Sequence, residues 1–170
     1  HEYSLVTGDL LSLDFAVSLN GWVADSALTV NVGGVASPDD QRLIDTCEKA
    51  LAAGIAQARP GNRLGDISAA IGAISRGAGY EVNTDFGGHG VGRTMHEDPS
   101  IPNDGREGTG PKLKAGMVFA IEPWLMHTTS EIYTDADGWT LKSVDGSRSA
   151  HVEHTVAITE SGPLVLTQRG

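Results

Sequence analysis

The stretch Leu11-Ser12-Leu13-Asp14-Phe15-Ala16-Val17-Ser18-Leu19-Asn20-Gly21-Trp22-Val23-Ala24-Asp25 decides how the chain folds. Leu11, Leu13, Phe15 and Val17 alternate with Ser12, Asp14, Ala16 and Ser18. That is the period of a strand with two unlike faces. Asn20-Gly21 is the strongest short hairpin signal, because a type I′ turn needs positive φ at both central residues. Residues 22–32, rich in Val, Thr and Ala, supply the returning strand. A two-residue loop pairs Leu19 with Trp22, so Ala16 faces Asp25 and Asp14 faces Ala27. Opposed residues share a face, which makes Asp14 and Asp25 diagonal neighbours with Cβ atoms roughly 5–8 Å apart. A slip of one residue would send them to opposite faces. Two bare carboxylates this close repel, and one tends to keep a proton. A divalent cation between them holds both ionised.

Two more acids stand in comparable surroundings. Met117-Val118-Phe119-Ala120-Ile121-Glu122-Pro123 reads as an apolar strand ending in a carboxylate and a proline. His151 to Thr159 alternates again and places Glu153, Thr155 and Ala157 on one face, with Glu153 inside the strand. An acid in an apolar strand is costly unless it is paired or metal-bound. Any one of these acids alone reads as a structural ion pair. Four of them together with His89, which Gly87, Gly88, Gly90 and Gly92 surround, read as the ligand set of a site for two divalent metals. The glycines let the backbone approach such a site closely. This run is neither a G-x-G-x-x-G fingerprint after a strand nor a phosphate loop, and His96-Glu97-Asp98-Pro99-Ser100 lacks the second histidine of H-E-x-x-H. His127, His151 and His154 have no comparable support and read as structural or surface residues. Arg93 reads as the anchor of the glycine loop.

The remainder predicts an α+β chain in one domain spanning residues 1–170. Ser37-Pro38-Asp39-Asp40 starts a helix with a serine cap, a proline in the first turn and acids at the positive dipole end. Leu43, Ile44, Cys47, Ala50, Leu51, Gly54, Ile55 and Ala58 form its stripe. A second helix is expected from Leu64 to Gly77, packing through Leu64, Ile67, Ala70, Ile71 and Ile74. Asp98 to Leu113 reads as a surface loop crossing the mouth of the site, and Asp137-Gly138 as a hairpin turn. The net charge is −10, which disfavours binding to nucleic acid or to anionic membranes. No apolar run is long enough for a transmembrane helix, and no secretory leader is visible. A single cysteine, Cys47, precludes an intrachain disulfide and fits a reducing compartment.

Taken together, the Leu11–Phe15, Gly21–Ser26, Gly88–Pro99, Gly116–Pro123 and Ser149–Thr155 blocks resemble the type I methionine aminopeptidases of the pita-bread fold. They occur in the family's order and cover essentially the whole chain. The resemblance implies a curved antiparallel sheet with helices on its outer face. It implies a mononuclear or dinuclear site, which in the dinuclear form takes two divalent ions (Co2+, Mn2+, Fe2+ or Zn2+), with Asp25 and Glu153 bridging, Asp14 completing the second position, and His89 and Glu122 completing the first. It makes His96 and Glu122 the catalytic pair: His96 hydrogen-bonds the substrate, and Glu122 moves the proton from a metal-activated hydroxide to the leaving amine. Met95, His96 and Trp139 match substrate-binding positions. The implied partner is the N-terminus of a nascent polypeptide, with the ribosome as a further one, in the cytoplasm. Only 13 residues precede Asp14, whereas the family carries two helices, part of the methionine pocket and a further histidine there. That difference predicts an N-terminally truncated chain with exposed sheet surface, of low solubility or activity. His1-Glu2 reads as a junction or scar, without the role of that histidine. The two competing readings are a prolidase or aminopeptidase P-type peptidase and a pita-bread binding module without catalysis.

Overall fold

A computed structural model describes residues 3–34 and 36–169; His1 and Glu2 lie outside the described residues. The chain opens with the expected hairpin, β1 (Leu10–Leu19) and β2 (Trp22–Asn31). Its register is the one the turn dictates: Ala16 faces Asp25, and Asp14 faces Ala27. Asn20 and Gly21 have φ of 52° and 75°, as a two-residue I′ turn requires.

Helix α1 (Pro38–Gln57) is capped by the Ser37 hydroxyl, which accepts from the Asp40 amide at 3.1 Å. It buries Leu43, Cys47, Ala50, Leu51 and Gly54. Helix α2 (Leu64–Gly77) has the expected bounds but a different packed side. Ile67 and Ile71 are buried as expected, whereas Ala70 is half-buried and Ile74 exposed. Gly65, Ser68, Gly72 and Ser75 take their place, because the 104–109 segment presses against this side: its backbone leaves no room for a Cβ at Gly65, and the Asp104 carboxylate lies against Gly72.

Strands then follow: β3 (Glu81–Val82), β4 (Gly87–Gly90), β5 (Glu97–Pro102), β6 (Val118–Ile121), β7 (Trp124–Met126), β8 (Ile132–Thr134), β9 (Leu141–Ser143), β10 (Ser149–His151), β11 (His154–Thr159) and β12 (Gly162–Val165). All pairings are antiparallel. The main ladders run β12-β11-β6-β4-β5 and β10-β7-β3, while β8-β9 and β1-β2 stand as separate hairpins. One core joins the helices to the sheets through Leu43, Leu51, Ile67 and Ile71 against Phe119, Ile121, Leu125 and Val156. The expected 98–113 mouth loop is not formed. Its first part is edge strand β5, and its end binds the start of α2, where the Leu64 and Gly65 amides donate to Pro111 and Thr109.

The face of β1 opposite Asp14 is bare. Phe15 is 71% exposed and Leu19 74%, with Leu13, Val17 and Trp22 along the same row. A contiguous apolar patch of this kind favours association. Replacing Phe15 and Leu19 together by threonine, a good strand former, is expected to leave stability within about 0.5 kcal/mol. It should also lower light scattering in concentrated solution. Unchanged scattering would show that the row does not drive association.

Candidate metal centre

The acids of the second half sit where the sheets break. Pairing of β6 with β11 stops at Ile121 and His154, and pairing of β7 with β10 begins at Trp124 and His151. Glu122-Pro123 and Val152-Glu153 therefore lie opposite each other in one gap of the ladder. This corrects the expectation that Glu153 lies within a strand. Proline has no amide hydrogen to give a ladder, which suits Pro123 to the gap.

Hydroxyl groups fasten the first hairpin across that gap. Thr155 Oγ1 donates to the Asp25 carbonyl at 2.7 Å and accepts from the Asp25 amide at 2.8 Å. Ser26 Oγ donates to the Glu153 carbonyl at 3.0 Å, and the Glu153 amide donates to the Ala27 carbonyl at 2.9 Å. Thr29 Oγ1 likewise takes the amide of His151 and gives to its carbonyl. These bonds hold Asp25 beside Glu153. Thr155→Val keeps the shape but leaves the buried Asp25 amide and carbonyl without their partner. It should cost about 1–3 kcal/mol of stability and weaken metal binding roughly 10–100-fold. Thermal melts and metal titrations check both, and a variant matching the wild type in metal affinity would remove Thr155 from this role.

His89 enters from β4. Its Nδ1 lies 2.9 Å from the Gly90 carbonyl oxygen, which can only accept, so Nδ1 carries the hydrogen. In the neutral ring the Nε2 lone pair then points at carboxylates, 3.9 Å from Asp25 Oδ2 and 3.4 Å from Glu122 Oε1. Glu153 is 2% exposed, and its Oε1 has no hydrogen-bond partner. Burial first, then the charges of Glu122, Asp25 and Asp14, push its carboxyl up to about 9. Asp25, 3% exposed, is also pushed upward, by burial and then by Asp14. An acceptor-only cluster of this sort is electrostatically unfavourable without protons or cations. Two triads each bring ligand atoms within 4.8 Å of one another: Asp25, His89, Glu153 and Asp14, His151, Glu153. Glu153 is common to both. The donor set fits divalent metal ions.

The five ligands expected from the sequence thus come together. His151 does as well, although it read as structural or surface. Its Nε2 is 3.3 Å from Glu122 Oε2, and its Nδ1 is 3.9 Å from Asp14 Oδ2. The overlooked signal was spacing: His151 and Glu153 are two apart, the interval that returns to the same face of a strand. His154 is structural, with Nδ1 2.9 Å from Thr167 Oγ1, and His127 packs on Tyr80.

His96 sits beside the centre, its ring 4.4 Å from that of His89, edge to face. Its loop is fixed by Glu97, whose carboxylate accepts from the Arg93 and Thr94 amides at 2.7 and 2.9 Å. Arg93 ties the same loop to the first hairpin. Its guanidinium donates to the Gly21 carbonyl and lies 3.7 Å over the Trp22 ring. Met95 is exposed in this loop. Trp139, in the β8–β9 turn, is 88% exposed and is not among the walls of the cavity next to the centre. That cavity of about 510 Å³ is lined by the polar Asp14, Glu122 and His151 and by the apolar Phe86, Trp124 and Leu141. Phe86 and Trp124 pack with ring centroids 5.6 Å apart; neither was singled out in the sequence.

The sequence profile of metallopeptidase family M24 matches residues 1–160. The chain is 45% identical over 169 residues to the methionine aminopeptidase of Aquifex aeolicus (strain VF5), covering 98% of this chain and 65% of that relative. It superposes on the crystal structure of methionine aminopeptidase from Thermotoga maritima with a TM-score of 0.93 and 42% identity, covering 96% of this chain and 65% of that one. The chain therefore spans just under two thirds of the length of both. Against prolidase from Pyrococcus furiosus the TM-score is 0.74, with 26% identity and 42% of that chain covered.

Proposed function

The chain belongs to metallopeptidase family M24, with its pita-bread fold, and from that premise we propose a metal-dependent aminopeptidase that removes N-terminal methionine. Residues 1–170 form its catalytic domain, and its substrates are the N-termini of nascent polypeptides met in the cytoplasm, at or near the ribosome. The observation that carries this reading is the acceptor-only cluster. Asp25 and Glu122 face His89 Nε2, Glu153 joins Asp25 and His89 in one triad and Asp14 in another, and Glu153 Oε1 is buried without a partner.

Two divalent ions, one held by Asp25, His89, Glu122 and Glu153 and one by Asp14, Asp25 and Glu153, would lower the pKa of bound water and polarise the scissile carbonyl. Co2+, Mn2+, Fe2+ and Zn2+ all suit such donors. Glu122, at the cavity edge, takes the proton of the attacking water and returns it to the departing amine. His96 donates a hydrogen bond to the carbonyl oxygen as charge develops there. Met95 and Trp139 offer the exposed apolar surface that the family resemblance assigns to the methionine side chain.

The test is hydrolysis of Met-Ala-Ser and of Gly-Pro by protein supplied with Mn2+ or Co2+. Cleavage of Met-Ala-Ser alone is the expected result. Cleavage of Gly-Pro alone would make the chain a prolidase-type peptidase. Metal binding with turnover of neither would make it a binding module.

A further inference from the structure

We propose that His151 is a sixth protein ligand, supplying an imidazole to the metal position formed by Asp14 and Glu153. This rests on the metallopeptidase reading and extends it. There, the second position is held by carboxylates alone.

His151 is the last residue of β10, and its amide and carbonyl are both bound to the Thr29 hydroxyl at 2.9 and 2.7 Å. It pairs with Trp124 on β7, and that indole packs against the imidazole with centroids 6.3 Å apart. The ring is therefore fixed in place. It faces Glu122 through Nε2 and Asp14 through Nδ1. Nε2 is shielded from solvent and has no hydrogen-bond partner. One ligand atom each from Asp14, His151 and Glu153 lie within 4.8 Å of one another; two donors at about 2.2 Å from one ion span at most about 4.4 Å, so a side-chain rotation of a few tenths of an ångström brings all three onto it. The unpartnered Oε1 of Glu153, a side chain 2% exposed, is an independent sign that a cation belongs there. An entry path exists, because Asp14 and His151 both line the 510 Å³ cavity.

A nitrogen donor changes which ions this position prefers. Carboxylate sets suit Mn2+, whereas imidazole favours Zn2+, Fe2+ and other ions further along the series. His151 therefore biases the second position toward Zn2+ or Co2+ over Mn2+, while the position held by His89 is unaffected.

The experiment is calorimetric titration of the metal-freed protein with Zn2+ and, separately, Mn2+, for the wild type, His151→Gln and His151→Ala. Glutamine keeps a hydrogen-bonding group of similar reach but is a poor metal ligand. Both variants are expected to weaken the second Zn2+ by roughly 10–100-fold. The second Mn2+ should change less, and the first ion of either kind should stay as in the wild type. Histidine-ring 15N spectra of the wild type provide a readout that needs no variant: the His151 signals should shift on the second Zn2+ equivalent. Unchanged second-site affinity in His151→Gln, or an unmoved His151 ring, would overturn the proposal and leave the metallopeptidase reading intact. A wild type that binds no metal would overturn both.

Discussion

Glu153→Gln should abolish binding of both ions at concentrations that saturate the wild type, and cut Met-Ala-Ser hydrolysis by more than about 100-fold. Partners that merely orient a ligand cost 10–100-fold when lost, and Glu153 is the acid common to both triads. The metal-free protein should not suffer. With the Glu153 carboxyl pushed up to about 9 from an ordinary 4.5, the native side chain is already protonated at neutral pH, and glutamine is its neutral counterpart. The sign of the pH dependence follows. A folded-state value above the unfolded one gives a contribution that is complete below about 4.5 and is lost as pH rises towards 9. Metal-free wild type should therefore lose stability across that window, at no more than about 1.4 kcal/mol per pH unit from this group. The variant should lose less. Metal binding has the opposite trend, because each ion must displace that proton, so apparent affinity rises with pH. Urea melts from pH 5 to 9, with and without Zn2+, measure all three. A Gln variant that binds two ions as tightly as the wild type would refute the shared-ligand role.

The second large effect belongs to a residue with no side chain. β4 lies between β5 and β6, and a Cβ at Gly88 would overlap the backbone carbonyl oxygen of Ala120 and crowd Ile101. Neither neighbour is the free end of a flexible side chain, so the strands must separate. Gly88→Ala should cost about 2–3 kcal/mol. It should also draw the adjacent His89 away from Asp25 and Glu122, lowering metal affinity at the first position. Gly77→Ala is the control. It ends α2 without positive φ and with nothing near its Cβ, so it should be neutral or slightly stabilising. Wild-type melting and metal affinity in Gly88→Ala would show that β4 tolerates the methyl group.

The first hairpin was legible because its turn has only one comfortable geometry. Asn20-Gly21 sets the register, and the register sets where Asp14 and Asp25 meet. The helix caps were legible for the same reason: Ser37 and Pro38 act locally. What escaped the sequence depends on partners. The periodicity of α2 names an apolar stripe through Ala70 and Ile74, but the 104–109 segment selected the glycine and serine side instead. Strand alternation could not reveal that the ladder breaks at Val152-Glu153, since a break is a property of two strands and not of one. Ser26, Thr29 and Thr155 look like ordinary strand residues; only the assembled structure shows that their hydroxyls tie β2 to the 151–155 segment, which no ladder joins to it. For His151 the sequence offers only its spacing from Glu153, because its other neighbours, Asp14 and Glu122, are far away in sequence.

Those hydroxyl bonds also govern how the chain is put together. Thr155 and Asp25 are 130 residues apart, and His151 and Thr29 are 122 apart. Joining them closes a loop of 130 residues in a chain of 170. Closure of that length adds an entropic cost that local contacts do not repay, and far-separated contacts form slowly. No contiguous stretch of the sequence holds the ligands by itself, so an ion finds its full coordination only after both ends have docked. It then binds the folded chain and not the unfolded one, adding about 2.7 kcal/mol at a hundredfold excess over its Kd. Ion supply thereby becomes a determinant of how long the docked ends stay together, quite apart from any bond the protein cleaves.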